Sequence, residues 1–281
     1  TDKLRRVMTV NKEIRALAVS STAVVEEARK LHQTTPVATA ALGRALSGAL
    51  LMGAMFKSGD QVGLKIVGNG PLQKVVAEAD NKGRVRGYVA NPKIGFKNKQ
   101  QNKLDVAWAI GQGQLEVKKW DQHSGASEGS VPLISGEIGE DLTYYFTQSE
   151  QTPSSVGLGV LVDTDLSVTA AGGFIIQLMP EASEETIDQL EANLAEIDSV
   201  SRLIEQGLSP QELLEKLLTG FKFKTLAQQD VEFNCHCSKD RLTELMAGLG
   251  AEELETTLEQ EGQVEIECHF CGQKYQFTES E

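Results

Sequence analysis

Positive charge is scarce in this chain, and its scarcity removes one large class of functions. Lys and Arg number 27 against 40 Asp and Glu, for a net charge of -13. Nucleic-acid binding needs a basic face to meet phosphates, so no such partner is expected. Histidine is scarce as well. Of the four, His236 and His269 lie between cysteines and the others stand alone at His32 and His123, so no Ser-His-Asp or Cys-His set can be assembled. A phosphate-cradling loop is missing too: Gly68-Asn69-Gly70-Pro71 has the composition of a turn, and no Lys-Ser/Thr follows it. The N-terminus, Thr1-Asp2-Lys3-Leu4-Arg5-Arg6, has no apolar run before a cleavage site, which leads to the expectation of a reducing cytoplasm. Aromatic residues are few at 5%, but 40% of the chain is apolar, the balance of a soluble globular protein. At 281 residues there is room for two domains and a generous core.

Cysteine is scarcest in distribution. All four cysteines fall near the C-terminus, as Cys235-His236-Cys237 and Cys268-His269-Phe270-Cys271. A thiolate is a strong, soft zinc ligand, and structural zinc takes four ligands at tetrahedral corners. Two close pairs brought together by residues 238–267 supply that geometry, so one zinc per chain is expected on Cys235, Cys237, Cys268 and Cys271. Two structural disulfides, or four unrelated thiols, are the plainer alternatives. A closed four-thiolate site leaves no open position, which argues against metal-assisted hydrolysis. Nor does the Cys-x-x-Cys stand in the βαβ setting of a thioredoxin-like enzyme.

The rest of the chain reads as α+β. Residues 4–20 suggest two strands about Asn11-Lys12, the second from Ile14 to Val19. Thr22 to Gln33 is helical in pattern, with Val24, Val25, Ala28 and Leu31 on one face. Thr35 and Pro36 open a second helix, as N-cap and first helical residue. From Pro36 to Phe56 this helix is nearly all Ala, Gly, Leu, Val and Met, long enough for a membrane span. Arg44 near its middle would cost about 2.5–3.5 kcal/mol in a bilayer, and the small residues suit close packing, so a buried helix and no membrane contact are expected.

Strands are expected at Val62–Val67, Leu72–Ala79 and Val85–Val89, with a hairpin turn at Asp80-Asn81-Lys82-Gly83, and two more between Leu104 and Val117. Gly139–Gln148 is helical in period; Val156–Val168 and Ala171–Gln177 read as strands.

After Pro180 the composition shifts. Residues 181–230 hold 11 acidic and four basic residues, with apolar spacing for short helices. Ile187, Leu190, Leu194 and Ile197 share one face. Ser209-Pro210-Gln211-Glu212 is a capping box that starts a helix running to about Phe221. Such short helices are marginal alone and must pack on something else. In the last stretch Ser238 can cap a helix to Met246, Ala251–Gln260 can form another, and Gln263–Glu267 and Lys274–Phe277 flank the second cysteine pair. About fifty residues bury too little to be secure, so metal would supply most of this unit's folding free energy, on the order of 10–16 kcal/mol. The domain expectation is therefore an α+β core over 1–178, a helical linker over 179–231 and a zinc-binding unit over 232–281.

The cysteine spacing, together with Thr35-Pro36, Ala41-Leu42-Gly43-Arg44, Gly70-Pro71-Leu72, Val85-Arg86-Gly87-Tyr88, Tyr145-Phe146-Thr147-Gln148-Ser149-Glu150-Gln151 and Ala171-Gly172-Gly173, resembles the redox-regulated heat-shock chaperones of thirty-three kilodaltons over the whole length. The resemblance implies a non-enzymatic, ATP-independent holdase. Its reduced, zinc-bound form is inactive; oxidation with mild unfolding stress forms disulfides, releases zinc, exposes a surface for unfolded client proteins and favours a homodimer. Two other readings remain: a zinc-ribbon adaptor that binds a protein or nucleic acid constitutively, and an enzyme housed in the first domain. Leu213, Leu214, Leu217 and Leu218 are candidate client-binding residues, or plain packing residues. Of the three possible pairings, Cys235–Cys237 and Cys268–Cys271 are expected, because joining the pairs to each other must close a long loop.

Overall fold

The computed structural model describes residues 2–56, 59–95, 104–121, 125–197, 199–246 and 263–278. The chain divides into two compact units, Thr1–Phe233 and Asn234–Glu281.

The first unit opens with β1 (Lys3–Thr9) and β2 (Ile14–Ser20), an antiparallel hairpin. Two helices follow, α1 (Thr22–His32) and α2 (Pro36–Gly53). In α1, Val24, Val25 and Ala28 are buried as expected, while Leu31 is 41% exposed, so the apolar face is narrower than its pattern. Thr35 does hold the N-cap position of α2, but its hydroxyl makes no capping bond and instead donates to the Pro92 carbonyl at 3.3 Å. Almost every residue of α2 is buried, because both sheets of the unit pack around it. Its small residues make that approach possible: a Cβ on Gly43 would come within 2.6 Å of Val25, and one on Gly53 within 2.8 Å of the Asp80 carbonyl. Arg44 leaves the apolar layer by pairing with Glu137. No helix among the described residues is long and apolar enough to cross a membrane.

Next come β3 (Gln61–Gly68), β4 (Lys74–Asp80) and β5 (Arg84–Val89). Of the two strands expected between Leu104 and Val117, the first is a helical turn, α3 (Val106–Ile110). Asp105 explains the change, since its carboxylate accepts from the Trp108 N–H at 3.0 Å and caps the turn. The second is β6 (Gly113–Asp121), and it pairs with a strand the sequence did not announce, β7 (Gly125–Pro132). After α4 (Gly139–Gln148) the long hairpin of β8 (Ser154–Val162) and β9 (Val168–Leu178) completes the expected order.

One buried carboxylate organises the entry to α4. Asp141 accepts from the backbone N–H groups of Ile134, Ser135, Gly136 and Ile138 at 2.8, 3.0, 3.3 and 2.9 Å. These bonds hold Ile138 at a φ of +69°, a conformation costly for a β-branched residue. Asp141→Ala strands those donors in the interior, so a loss of about 2–5 kcal/mol is expected in urea denaturation of the first unit.

The segment after β9 forms α5 (Glu184–Ala195), α6 (Val200–Glu205) and α7 (Pro210–Leu217). The capping box is present: Ser209 Oγ accepts from the Glu212 N–H at 3.3 Å and Glu212 accepts from the Ser209 N–H at 2.8 Å. Leu190, Val200, Leu213, Leu214, Leu217 and Leu218 pack on Val7, Ile14, Ala16, Ala18, Phe174 and Ile176, the face of the β1–β2–β9 sheet turned away from α2. Each such side chain contributes about 1.5–3 kcal/mol on burial, which supplies what the short helices lack. Polar ties add to this. Asn193 donates to the carbonyls of Leu217 and Thr219 at 3.1 and 2.8 Å, and Glu13 accepts from Ser183 and Thr186 at the start of α5.

The last part of the expected helical linker is instead a strand, β10 (Phe223–Asp230), antiparallel to β1. A two-residue strand, β11 (Glu232–Phe233), then runs parallel to β5. The sheets are thus ordered β10-β1-β2-β9-β8 and β11-β5-β4-β3-β6-β7. In the second unit lie α8 (Lys239–Met246) and the hairpin of β12 (Val264–Glu267) and β13 (Lys274–Phe277). The helix expected at Ala251–Gln260, and His123, lie outside the described residues.

Candidate metal centre

Each cysteine pair is held by a local structure its own sequence creates. The first precedes α8, where Ser238 Oγ accepts from the Arg241 N–H at 3.2 Å, as expected of a cap. The second is the tip of the β12–β13 hairpin. There the Cys268 N–H donates to the Gln273 carbonyl at 2.9 Å, and the Cys268 carbonyl accepts from Gly272 at 2.7 Å and Cys271 at 3.3 Å. Gly272 sits at a φ of +69°, which lets the chain turn back beneath Cys271.

The structure brings all four predicted residues together. The sulfurs of Cys235, Cys237, Cys268 and Cys271 lie within 4.8 Å of one another. Cys235 and Cys268 are 3.7 Å apart and Cys237 and Cys271 3.3 Å. Sulfurs at about 2.3 Å from one tetrahedral ion would be about 3.8 Å apart. The residues therefore fit a soft metal ion, and this set could hold one. Only sulfur makes up the set: His236 and His269 sit inside the pairs without joining it. His32 is placed elsewhere, its Nε2 2.9 Å from the Gly87 carbonyl.

The surroundings treat the sulfurs unequally. Burial pushes the Cys235 and Cys271 thiols up. Burial acts the same way on Cys237, but the Tyr275 hydroxyl and the neighbouring cysteines overcome it and leave this thiol below its ordinary value. Tyr275, on β13, donates from its hydroxyl toward Cys237 Sγ at 3.3 Å and the Cys237 carbonyl at 3.2 Å. The bond to the sulfur pushes the phenol itself up to about 12. Sequence reasoning missed this residue. Its signal is an aromatic hydroxyl four positions after the last cysteine, and only the hairpin register turns that position toward the first pair.

The candidate client-binding leucines, Leu213, Leu214, Leu217 and Leu218, are all buried beneath the helical layer.

Fold and site together define an α+β protein whose small second unit gathers four thiols that could hold a metal ion. A family model described as Hsp33 protein matches residues 2–278. Among similar proteins are the 33 kDa chaperonin of Geobacillus sp. (strain WCH70), 46% identical over 282 residues covering 100% of this chain and 96% of that protein, and the 33 kDa chaperonin of Geobacillus kaustophilus (strain HTA426), 47% identical over 281 residues with the same coverage. The crystal structure of the 33 kDa chaperonin (heat shock protein 33 homolog) from Thermotoga maritima superposes with a TM-score of 0.90 at 36% identity, covering 99% of this chain and 95% of that one. The chain belongs to the Hsp33 family, and this membership supports a chaperone function.

Proposed function

We propose that the protein is an ATP-independent holdase, not an enzyme, which binds unfolding proteins in the cytoplasm once its cysteines are oxidised. The observation that carries the reading is the convergence of four sulfurs within 4.8 Å in a unit too small to be secure without them. Zinc suits this donor set, one ion per chain on Cys235, Cys237, Cys268 and Cys271. Bound there, it would keep the sulfurs as thiolates and tie the two pairs together.

Every later step belongs to the chain. A Cys268 or Cys271 thiolate attacks a peroxide oxygen, the O–O bond breaks, and the second thiolate displaces hydroxide from the resulting sulfenic acid. Two electrons pass to peroxide, two protons are taken up and two waters leave. The disulfide no longer ligates metal, so the small unit loses its main source of stability. Cys235 and Cys237 then react in the same way. With the unit unfolded, β11, β10 and the α5–α7 layer lose an anchored neighbour in the chain, and release of the layer opens the apolar face of β1, β2 and β9 to clients. The oxidised form acts as a homodimer in this reading, with no part for nucleic acid or membrane.

The disulfide pattern is a test in itself. Proximity does not choose, since Cys237 and Cys271 begin 3.3 Å apart. Once the pairs separate, joining them closes a long loop, whereas joining within a pair closes one or two intervening residues. Cys268–Cys271 should form first, and Cys235–Cys237, in a tighter and more strained ring, should form later and reduce more easily. Peptide mapping under non-reducing conditions after brief peroxide and heat should yield these two. A dominant cross-pair peptide would mean that the pairs stay docked during oxidation. The proposal as a whole is tested by comparing reduced and peroxide-treated protein in suppressing the aggregation of a denaturing client.

A further inference from the structure

The two cysteine pairs are not equivalent in their hydrogen bonding. Cys235 Sγ lies 3.7 Å from Cys268 Sγ, and Cys271 Sγ lies 3.3 Å from Cys237 Sγ. Cys237 also meets a side chain from the strand that follows the second pair, the Tyr275 hydroxyl at 3.3 Å, 38 residues along the chain. The hydroxyl can donate to the sulfur or to the Cys237 carbonyl at 3.2 Å. With Cys237 as a metal-bound thiolate the choice is settled, because an anionic acceptor makes the stronger bond and a thiolate has no proton to give in return.

A hydrogen bond to a thiolate withdraws electron density from the lone pair that attacks an electrophile. From this geometry we infer that Tyr275 is a positioning residue that makes Cys237 the slow sulfur of the site and so staggers the two oxidations, holding Cys235–Cys237 back until Cys268–Cys271 has formed. The inference rests on the metal-thiolate reading above. Tyr275 stands on β13, only four residues beyond Cys271, so the clasp survives as long as the hairpin tip stays near the first pair and is lost when the unit unfolds.

Tyr275→Phe removes the donor and keeps the ring. The experiment loads wild-type and Y275F full-length chains with zinc and labels them briefly with iodoacetamide. A thiolate attacks the methylene carbon, a C–S bond forms and iodide leaves, and mass spectrometry reads each cysteine separately. Cys237 should react about three- to tenfold faster in Y275F, the range one hydrogen bond's net worth implies, with the other three cysteines within about twofold of wild type. Cobalt substitution adds a readout that mere loosening would not move in this direction: the sulfur-to-metal charge-transfer band should shift to lower energy when the donor is lost. Site-specific 3-fluorotyrosine at 275, a stronger donor, should slow Cys237 below wild type. An unchanged Cys237 rate, a uniform rise at all four cysteines, or no slowing with fluorotyrosine would overturn the inference while leaving the metal site standing. Failure of the wild-type chain to take up metal would overturn both.

Discussion

Cys268→Ser is expected to abolish tight metal binding and to unfold Asn234–Glu281 while the first unit stays folded. Serine offers a hard, neutral oxygen where a soft thiolate stood, and three remaining sulfurs cannot close the tetrahedron. The effect should be large because this unit has little else. Its described structure is one eight-residue helix and a hairpin of two four-residue strands, with Phe277 its single deeply buried large side chain among the described residues. The Glu265–Lys274 pair on the hairpin is exposed and adds little. Metal-coupled folding free energies of about 10–16 kcal/mol are at stake in such units. Metal analysis should fall from one equivalent to near zero, and amide signals of residues 234–246 and 263–278 should collapse to the unfolded range. Retention of one tightly held ion would show that the four sulfurs are not the ligand set.

Oxidation should also loosen a part of the chain that contains no cysteine. Helices α5, α6 and α7 are 12, 6 and 8 residues long, at or below the length at which isolated helices persist in water. They stand because Leu190, Leu213, Leu214 and Leu217 are buried on the sheet and because Asn193 and Glu13 tie the ends of the layer. Between α7 and Cys235 run only β10 and β11, the second just two residues long. After peroxide and mild heat, hydrogen exchange across 184–218 should accelerate on the order of a hundredfold or more, while β2 and β9, inside the sheet, keep their protection. Unchanged exchange in α5–α7 would confine the response to the small unit and remove the proposed source of client-binding surface.

How much of this was legible in the sequence follows from where each signal resides. The cysteine pairs were readable because ligation depends on residue type and spacing. So were α2, whose Pro36 and small residues specify both its start and its packing, and α7, whose cap is written into Ser209 and Glu212. Elements built by backbone pairing alone were not. β7, Gly-Ala-Ser-Glu-Gly-Ser-Val-Pro, carries almost no apolar alternation and exists because β6 offers it an edge. β10 is similar, a mostly exposed strand defined by its partner β1, with Leu226 extruded where the register slips between Arg6 and Val7. At the site, the meeting of the four cysteines was foreseen and the approach of Tyr275 was not, since it depends on a hairpin register that brings its hydroxyl to a cysteine 38 residues away.

Oxidation, not nucleotide, is expected to turn on binding of unfolded proteins. Light scattering from a heat-denaturing client tests it most directly, with reduced zinc-loaded and peroxide-treated protein at equal concentration and without ATP. The oxidised protein should suppress aggregation at near-stoichiometric ratios, the reduced protein should leave it almost unchanged, and thiol reduction should reverse the gain. Equal suppression by both forms would contradict the account and favour a constitutive zinc-stabilised adaptor.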